Sequence, residues 1–317
     1  MDESALTGSY GGASWFTLAN EGVEVVVDRA LPQGAVKAVV LIAHGMAEHA
    51  ARYARFASEL AAHGYAVYAP DHRGHGRTAG GDDRLGWAGE DGWNGMLRDL
   101  AALAGLVRER HSGAPVILFG HSMGSVLAQR FAQLHGAALR GLILSGTFGS
   151  APKIGAGIAA AQVLALARGG RAPSPLQSTM FADFNKAFSE EPGFDWLSGD
   201  AAEVRKYVDD PRCGFTFSNR LLLDMLRGYV QTWKPRNERA VPRDLPVLLF
   251  SGELDPVGRN TAAVSELANR YRALGLADVT VKFYPGGRHE MLNETNRDEV
   301  VRDVLAWLDA HVQPTLV

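Results

Sequence analysis

The sequence predicts an α/β fold: a mostly parallel sheet flanked by helices, with an inserted helical cap. Short apolar runs alternate with helical stretches through most of the 317 residues, as in a sheet covered on both faces. The 36 glycines fit a fold with many tight strand-to-helix turns. The alternation stops between about residues 148 and 242, where apolar helical stretches and loops rich in Pro, Gly and aromatic residues carry no clear strand pattern.

The segments 14–18 and 23–27 lie too close together to hold a helix between them, so they form an antiparallel hairpin at the sheet edge. Ala38–Ala43 (AVVLIA) is a buried strand. Helical spacing follows over 53–63 and ends at Gly64, a natural C-cap. Residues 65–69 (YAVYA) form the next strand, closed by Pro70. Gly92–Arg110 is a helix with Met96, Leu100, Leu103 and Val107 on one face. A strand at 116–119, a helix at 125–135 and a strand at 142–144 follow. Beyond the interruption come a strand at 247–250, a helix at 264–274, a strand at Val279–Tyr284 and a helix at 299–311. The expected division is a core of residues 1–147 and 243–317, with residues 148–242 as a helical cap over the active site. Residues 154–167 and 221–229 are the cap's helical stretches.

Apolar residues make up 46% and charged residues 21%, the balance of a soluble globular chain long enough to bury a large core. A net charge of −3 argues against binding nucleic acid or an acidic membrane through a basic patch. Cys213 is the only cysteine, which excludes a disulfide framework and a cysteine-based zinc cluster. The opening MDESALTGSY is acidic and has no apolar core of a secretory signal. The apolar stretch 154–167 is too short to span a bilayer. The expected location is cytoplasmic, peripheral at a membrane if the cap touches one.

Gly120-His121-Ser122-Met123-Gly124 fits G-x-S-x-G. Alone the motif is weak; here four apolar strand residues precede it and a helix follows, the setting of a nucleophile elbow. The turn strains Ser122, and Gly120 and Gly124 remove side chains that would clash. Free N–H groups at the start of the following helix favour developing negative charge.

A serine needs a base to take its proton, and in this architecture the order is Ser, then Asp or Glu, then His. Three histidines follow Ser122. His135 ends a helix and caps it; His311 lies on the last helix; His289 follows strand Val279–Tyr284 in the loop Pro285-Gly286-Gly287-Arg288, above a strand's C-terminal end. His289 is the expected base. The acid that orients it should follow strand 247–250, in Ser251-Gly252-Glu253-Leu254-Asp255-Pro256. Asp255 sits further past the strand, in a turn, and is preferred over Glu253. Asp244 precedes the strand, at the wrong end of the sheet.

Acyl transfer also needs two donors for the tetrahedral oxyanion. The Met123 N–H, just after the nucleophile, is one. The Met46 N–H, in the loop after Ala38–Ala43, is the best candidate for the other. The run Asp71-His72-Arg73-Gly74-His75-Gly76-Arg77 invites a metal reading. His72 and His75 lack a nearby third ligand, so a tight hydrogen-bonded loop is preferred. No cofactor and no metal are expected.

These blocks together resemble the α/β-hydrolase superfamily, in the branch of monoacylglycerol lipases and lysophospholipases (serine aminopeptidase-like hydrolases). The matching blocks are HGMAEHAARYARFASELAAHGYAVYAPDHRGHGRT at 44–78, GHSMGS at 120–125, SGELDPVG at 251–258 and YPGGRHEMLNE at 284–294. The resemblance implies Ser122, Asp255 and His289 as a triad, with Met46 and Met123 as oxyanion donors. It also implies structural roles around the site for His44, Gly45, Glu48, Arg73, Gly74 and His75. Two positions depart from the pattern: Ala47 stands where the family's HGxGE has its second glycine, and Ser125 where many members have glycine.

The expected function is hydrolysis of single-acyl carboxylic esters, a monoacylglycerol lipase first, with lysophospholipase or general carboxylesterase as alternatives. An aminopeptidase-like amide hydrolase would need acidic groups for a free amine, and the cap holds Asp195, Asp200, Glu203, Asp209 and Asp210. A non-catalytic ligand-binding member is a third reading. Dehalogenases and epoxide hydrolases are excluded, because they place Asp at the nucleophile. The expected partner is a small acyl ester or lipid, with Ile158 and Leu164 among its apolar contacts in the cap. Activity should rise with pH through roughly 6.5–7 as His289 loses its proton.

Overall fold

A computed structural model of the chain describes residues 8–10, 13–188 and 193–312; residues 1–7, read above for a signal segment, lie outside that range. Among the described residues there are nine strands. They are β1 (Gly8–Tyr10), β2 (Ala13–Asn20), β3 (Val23–Ala30), β4 (Ala38–Ala43), β5 (Tyr65–Pro70), β6 (Val116–His121), β7 (Gly141–Ser145), β8 (Val247–Gly252) and β9 (Val279–Tyr284). They form one sheet in the order β1-β2-β3-β5-β4-β6-β7-β8-β9. β1, β2 and β3 pair antiparallel and β3 joins β5 antiparallel; from β5 across to β9 all pairs are parallel.

The predicted hairpin is β2–β3, in register from Ser14↔Arg29 to Asn20↔Val23. It is not the sheet edge, because β1 pairs outside it (Gly8↔Trp15). Three residues are too few to show a period of two, so β1 left no pattern to read.

The helices are α1 (Ala54–Ala62), α2 (Gly92–Arg110), α3 (Met123–His135), α4 (Ile154–Arg168), α5 (Pro175–Asn185), α6 (Ala201–Asp209), α7 (Asn219–Thr232), α8 (Pro235–Glu238), α9 (Ala262–Ala273) and α10 (Arg297–Val312). Central strand β4 shows why its sequence is apolar throughout. Val39, Leu41 and Ala43 enter the layer under α2, α3 and α9, while Val40 and Ile42 enter the layer under α1 and α10. Alternating side chains of one strand thus meet two cores, and neither face tolerates a polar residue. The predicted stripe of α2 (Met96, Leu100, Leu103, Val107) is buried.

Between β7 and β8 the described residues form helices α4–α8 and no strand. The sequence pointed to helix at α4 and α7 but not at α5, α6 or α8. The signals for two of these are local: Pro175 opens α5, and the Asp200 side chain caps α6 by accepting from the Ala202 N–H at 3.0 Å. α7 packs against α4 on one side and α2 and α3 on the other, and its Leu221, Leu222, Met225 and Tyr229 join the layer beneath. α4 differs: only Ala161 is buried, and Val163 and Leu166 are 63% and 77% exposed.

Candidate active site

Ser122 sits between β6 and α3 at φ 51°, ψ −118°, a conformation L-residues adopt only when their surroundings enforce it. Close backbone packing enforces it here. A Cβ on Gly124 would lie 2.1 Å from the Ala43 carbonyl oxygen, and one on Gly120 would lie 2.4 Å from the Gly124 carbonyl oxygen. Ser122 N–H donates to the Ser145 carbonyl at 3.0 Å, which ties the turn to β7. Ser125, the departure from glycine after the elbow, has its Oγ 2.6 Å from the Ser122 carbonyl oxygen and 2.8 Å from Thr147 Oγ1. Its hydroxyl therefore braces the elbow from behind.

The loop after β9 brings His289 against the loop after β8. His289 Nδ1 lies 3.0 Å from Asp255 Oδ1. The carboxylate is fully buried and held by further donors: Ser251 Oγ–H to Oδ2 at 2.8 Å and Val257 N–H to Oδ1 at 2.9 Å. Burial alone would raise the Asp255 pKa, but His289 and these donors outweigh it and keep the group below its ordinary value. Glu253, the runner-up, is exposed. The carboxylate bonded to His289 fixes which imidazole nitrogen carries the proton, leaving Nε2 to accept. Nε2 is buried and has no hydrogen-bond partner among the described residues. Burial pulls the His289 pKa down, yet Asp255, with Glu290 and Glu48, lifts it above its ordinary value.

Ser122, Met123, Met46 and His289 line one cavity of about 570 Å³, within the range of small-molecule sites. The rest of its wall is mainly apolar: Phe148, Ile154, Leu176, Met180, Phe181, Phe184, Leu222, Met225, Leu226 and Val257 all contribute. From α4 only the first turn takes part, through Ile154, Ala156 and Gly157. Ile158 and Leu164, expected as acyl contacts, are not in the wall. α5 and α7 supply that surface instead.

The loop 44–48 carries the other departure. Ala47 is fully buried at φ 54°, the left-handed conformation a glycine would take freely. Alanine holds this turn at a strain cost on the order of 1 kcal/mol. Glu48 folds back so that its Oε1 accepts from Gly45 N–H at 2.5 Å and from Tyr53 O–H at 2.8 Å. Its Oε2 accepts from Arg52 Nη1 at 2.9 Å. Arg52 also pairs with Glu290, Nη1 to Oε1 at 2.5 Å and Nη2 to Oε2 at 2.7 Å. Burial opposes charge on Glu290, but Arg52 outweighs it and drives the pKa down to about 2. Arg52 and Glu290 escaped the sequence reading, since the pair is 238 residues apart. A charged residue directly after the candidate base was the one visible hint.

The histidine-rich loop packs its imidazoles together. The rings of His44 and His72 are 4.1 Å apart and those of His44 and His75 5.1 Å apart. His44 Nε2 accepts from His72 N–H at 2.9 Å, so its proton resides on Nδ1, facing the Gly45 carbonyl at 2.9 Å. Burial and the His75 imidazole push His72 down to about 3, and burial pushes His75 down to about 4, so both are neutral. Asp71 closes the loop, accepting from Ala50 N–H, Arg77 N–H and Arg77 Nε–H. A different trio, His49, Asp210 and Cys213, offers ligand atoms within 4.8 Å of one another. His49 Nε2 and Asp210 Oδ2 already satisfy each other at 2.8 Å, and burial holds the Cys213 thiol protonated.

A serine on a strained strand-to-helix turn, with a His–Asp pair beyond the next strands of a mostly parallel sheet, defines an α/β-hydrolase. The profile described as "Serine aminopeptidase, S33" matches residues 34–296, and the chain belongs to that family. It is 30% identical to a monoacylglycerol lipase of Mycolicibacterium smegmatis, over 92% of this chain and 95% of that one. It is 28% identical to the monoglyceride lipase of Homo sapiens, over 87% of this chain and 84% of that one. A carboxyl esterase from Bacillus coagulans, solved in complex with glycerol, superposes with a TM-score of 0.87 at 28% identity, covering 95% of this chain and 98% of the other. The chain is accordingly an enzyme, a hydrolase of the lipase and esterase type.

Proposed function

We propose that the chain is a monoacylglycerol lipase that works by acyl transfer through Ser122. The observation carrying this is the free Nε2 of an Asp-held His289 in the same cavity as Ser122, with a wall mainly of apolar side chains. Ser122 Oγ attacks the ester carbonyl while His289 Nε2 takes its proton. The N–H groups of Met46 and Met123 stabilise the oxyanion. His289 then protonates the leaving glycerol oxygen, and water activated by the same nitrogen releases the fatty acid. Asp255 holds the tautomer and stabilises the imidazolium. Each methylene of the acyl chain seated on this wall adds about 0.8 kcal/mol, roughly fourfold in affinity.

In this reading residues 148–242 are the cap, with α4, α5 and α7 shaping the acyl site. The exposed Val163 and Leu166 of α4 fit peripheral contact with a membrane bearing the substrate. None of the described helices is long and apolar enough to cross one. The carboxylates weighed for amine recognition are used elsewhere or stand apart. Asp200 pairs with Arg297, Glu203 with Arg55 and Lys206, and Asp210 with His49; neither these nor Asp195 and Asp209 line the cavity. Glu48, Asp183 and Glu290 do line it, but Glu48 and Glu290 are paired with Arg52 and Asp183 with Lys186, so the mainly apolar wall favours the ester over the aminoacyl amide. The test is a hydrolysis panel of monoacylglycerols, lysophosphatidylcholine, triacylglycerols, p-nitrophenyl esters and aminoacyl amides. The highest kcat/KM is expected on a monoacylglycerol, and a preference for lysophosphatidylcholine or an amide would overturn the assignment.

A further inference from the structure

The carbonyl oxygen of Ala47 accepts two hydrogen bonds, both from the insertion between β7 and β8. Tyr207 O–H, on α6, donates at 3.1 Å, and Gly214 N–H, in the loop beyond α6, donates at 2.9 Å. Ala47 is the residue held at positive φ in the loop that carries Met46. Burial raises the Tyr207 pKa well above its ordinary value, so the phenol remains a donor throughout the working pH range. Its ring is also held, with the Arg52 guanidinium 4.9 Å from the ring centroid and Phe194 at 5.1 Å.

We infer that Tyr207 is a positioning residue: with Gly214 it grips the Ala47 carbonyl and so keeps the strained loop in the turn that aims the Met46 N–H. This rests on the proposed oxyanion role of Met46. An L-residue in the left-handed region relaxes unless contacts oppose it. Rotation of residue 47 toward negative φ would swing the adjoining peptides, including the one bearing its carbonyl. Two donors on that carbonyl resist the swing, and both come from a part of the chain that also walls the acyl site. The segment 207–214 would therefore act on the chemistry as well as on substrate fit, through one carbonyl.

The test is a double-mutant cycle of Tyr207→Phe and Ala47→Gly on p-nitrophenyl butyrate, whose short chain makes little use of the acyl wall. Phenylalanine keeps the ring between Arg52 and Phe194, so the melting temperature reports whether packing is retained. Tyr207→Phe is expected to lower kcat roughly tenfold with KM within about twofold. That is less than the ~10²–10³-fold cost of deleting an oxyanion donor, because the donor is loosened and not removed. In the Ala47→Gly background the same substitution should cost roughly threefold or less, since glycine holds positive φ without help. A merely structural role would give the same ratio in both backgrounds, and that equality, or an unchanged kcat in Tyr207→Phe, would overturn the inference. Absence of any ester hydrolysis by the wild-type chain would instead overturn the esterase reading and this inference with it.

Discussion

His289 is surrounded by charge that decides how it titrates. Asp255, Glu290 and Glu48 favour its protonated form, while burial opposes it. The carboxylates prevail, so the pKa is raised. A base must be neutral to act, so kcat/KM should rise with pH through an apparent pKa above 6.5, and activity is lost as pH falls below it. Glu290→Gln removes one of the negative charges, and the acid limb should move to lower pH in a kcat/KM profile. An unmoved limb would show that Glu290 does not act on His289. The two acids after β8 should separate as sharply. Asp255→Asn should cost ~10⁴-fold in kcat, because the amide no longer favours the productive tautomer, while Glu253→Gln should stay within about twofold. Steady-state kinetics of the two variants checks this, and the reverse ranking would hand the role to Glu253. Position in the sequence could rank Asp255 first, since it lies further past the strand. The donors that hold it, Ser251 Oγ at the end of β8 and the Val257 N–H in the turn beyond, meet it through a geometry that spacing alone does not reveal. Ala47 is similar: its mismatch with glycine was visible, whereas its φ of 54° had to be seen.

Among elements, the parallel strands were legible because burial on both faces forces an unbroken apolar run, as in β4, β6 and β8. The insertion was harder to read, because its helices answer to a cavity as well as to a core. α7 carries a strong apolar stripe and was visible. α5 presents Met180, Phe181 and Phe184 to the cavity and to an aromatic cluster with Trp196, so its residues do not repeat like one buried face. α4 was visible as helix, but its apolar surface suggested the wrong contacts, since only its first turn reaches the cavity. The outward residues of α4 call for a different readout. Leu166→Asp should lower the rate on monoacylglycerol presented in vesicles several-fold and leave p-nitrophenyl butyrate hydrolysis unchanged. Vesicle co-sedimentation should fall in parallel; an unchanged rate on vesicles in Leu166→Asp would remove α4 from any membrane contact.

Across the whole molecule, one sheet gathers groups that the sequence scatters. The loops after β4, β6, β8 and β9 bring Met46, Ser122, Asp255 and His289 to its C-terminal edge, where open α/β sheets bind their ligands. The helices between β7 and β8 add the apolar wall beside them. The central claim is that Ser122 is the nucleophile of this assembly. Its most direct test is mass spectrometry of the protein after reaction with a fluorophosphonate. A single adduct per chain is expected, mapped by peptide sequencing to Ser122, with no adduct in Ser122→Ala folded to the same melting temperature. Labelling of another residue, or undiminished labelling and ester hydrolysis in Ser122→Ala, would contradict it.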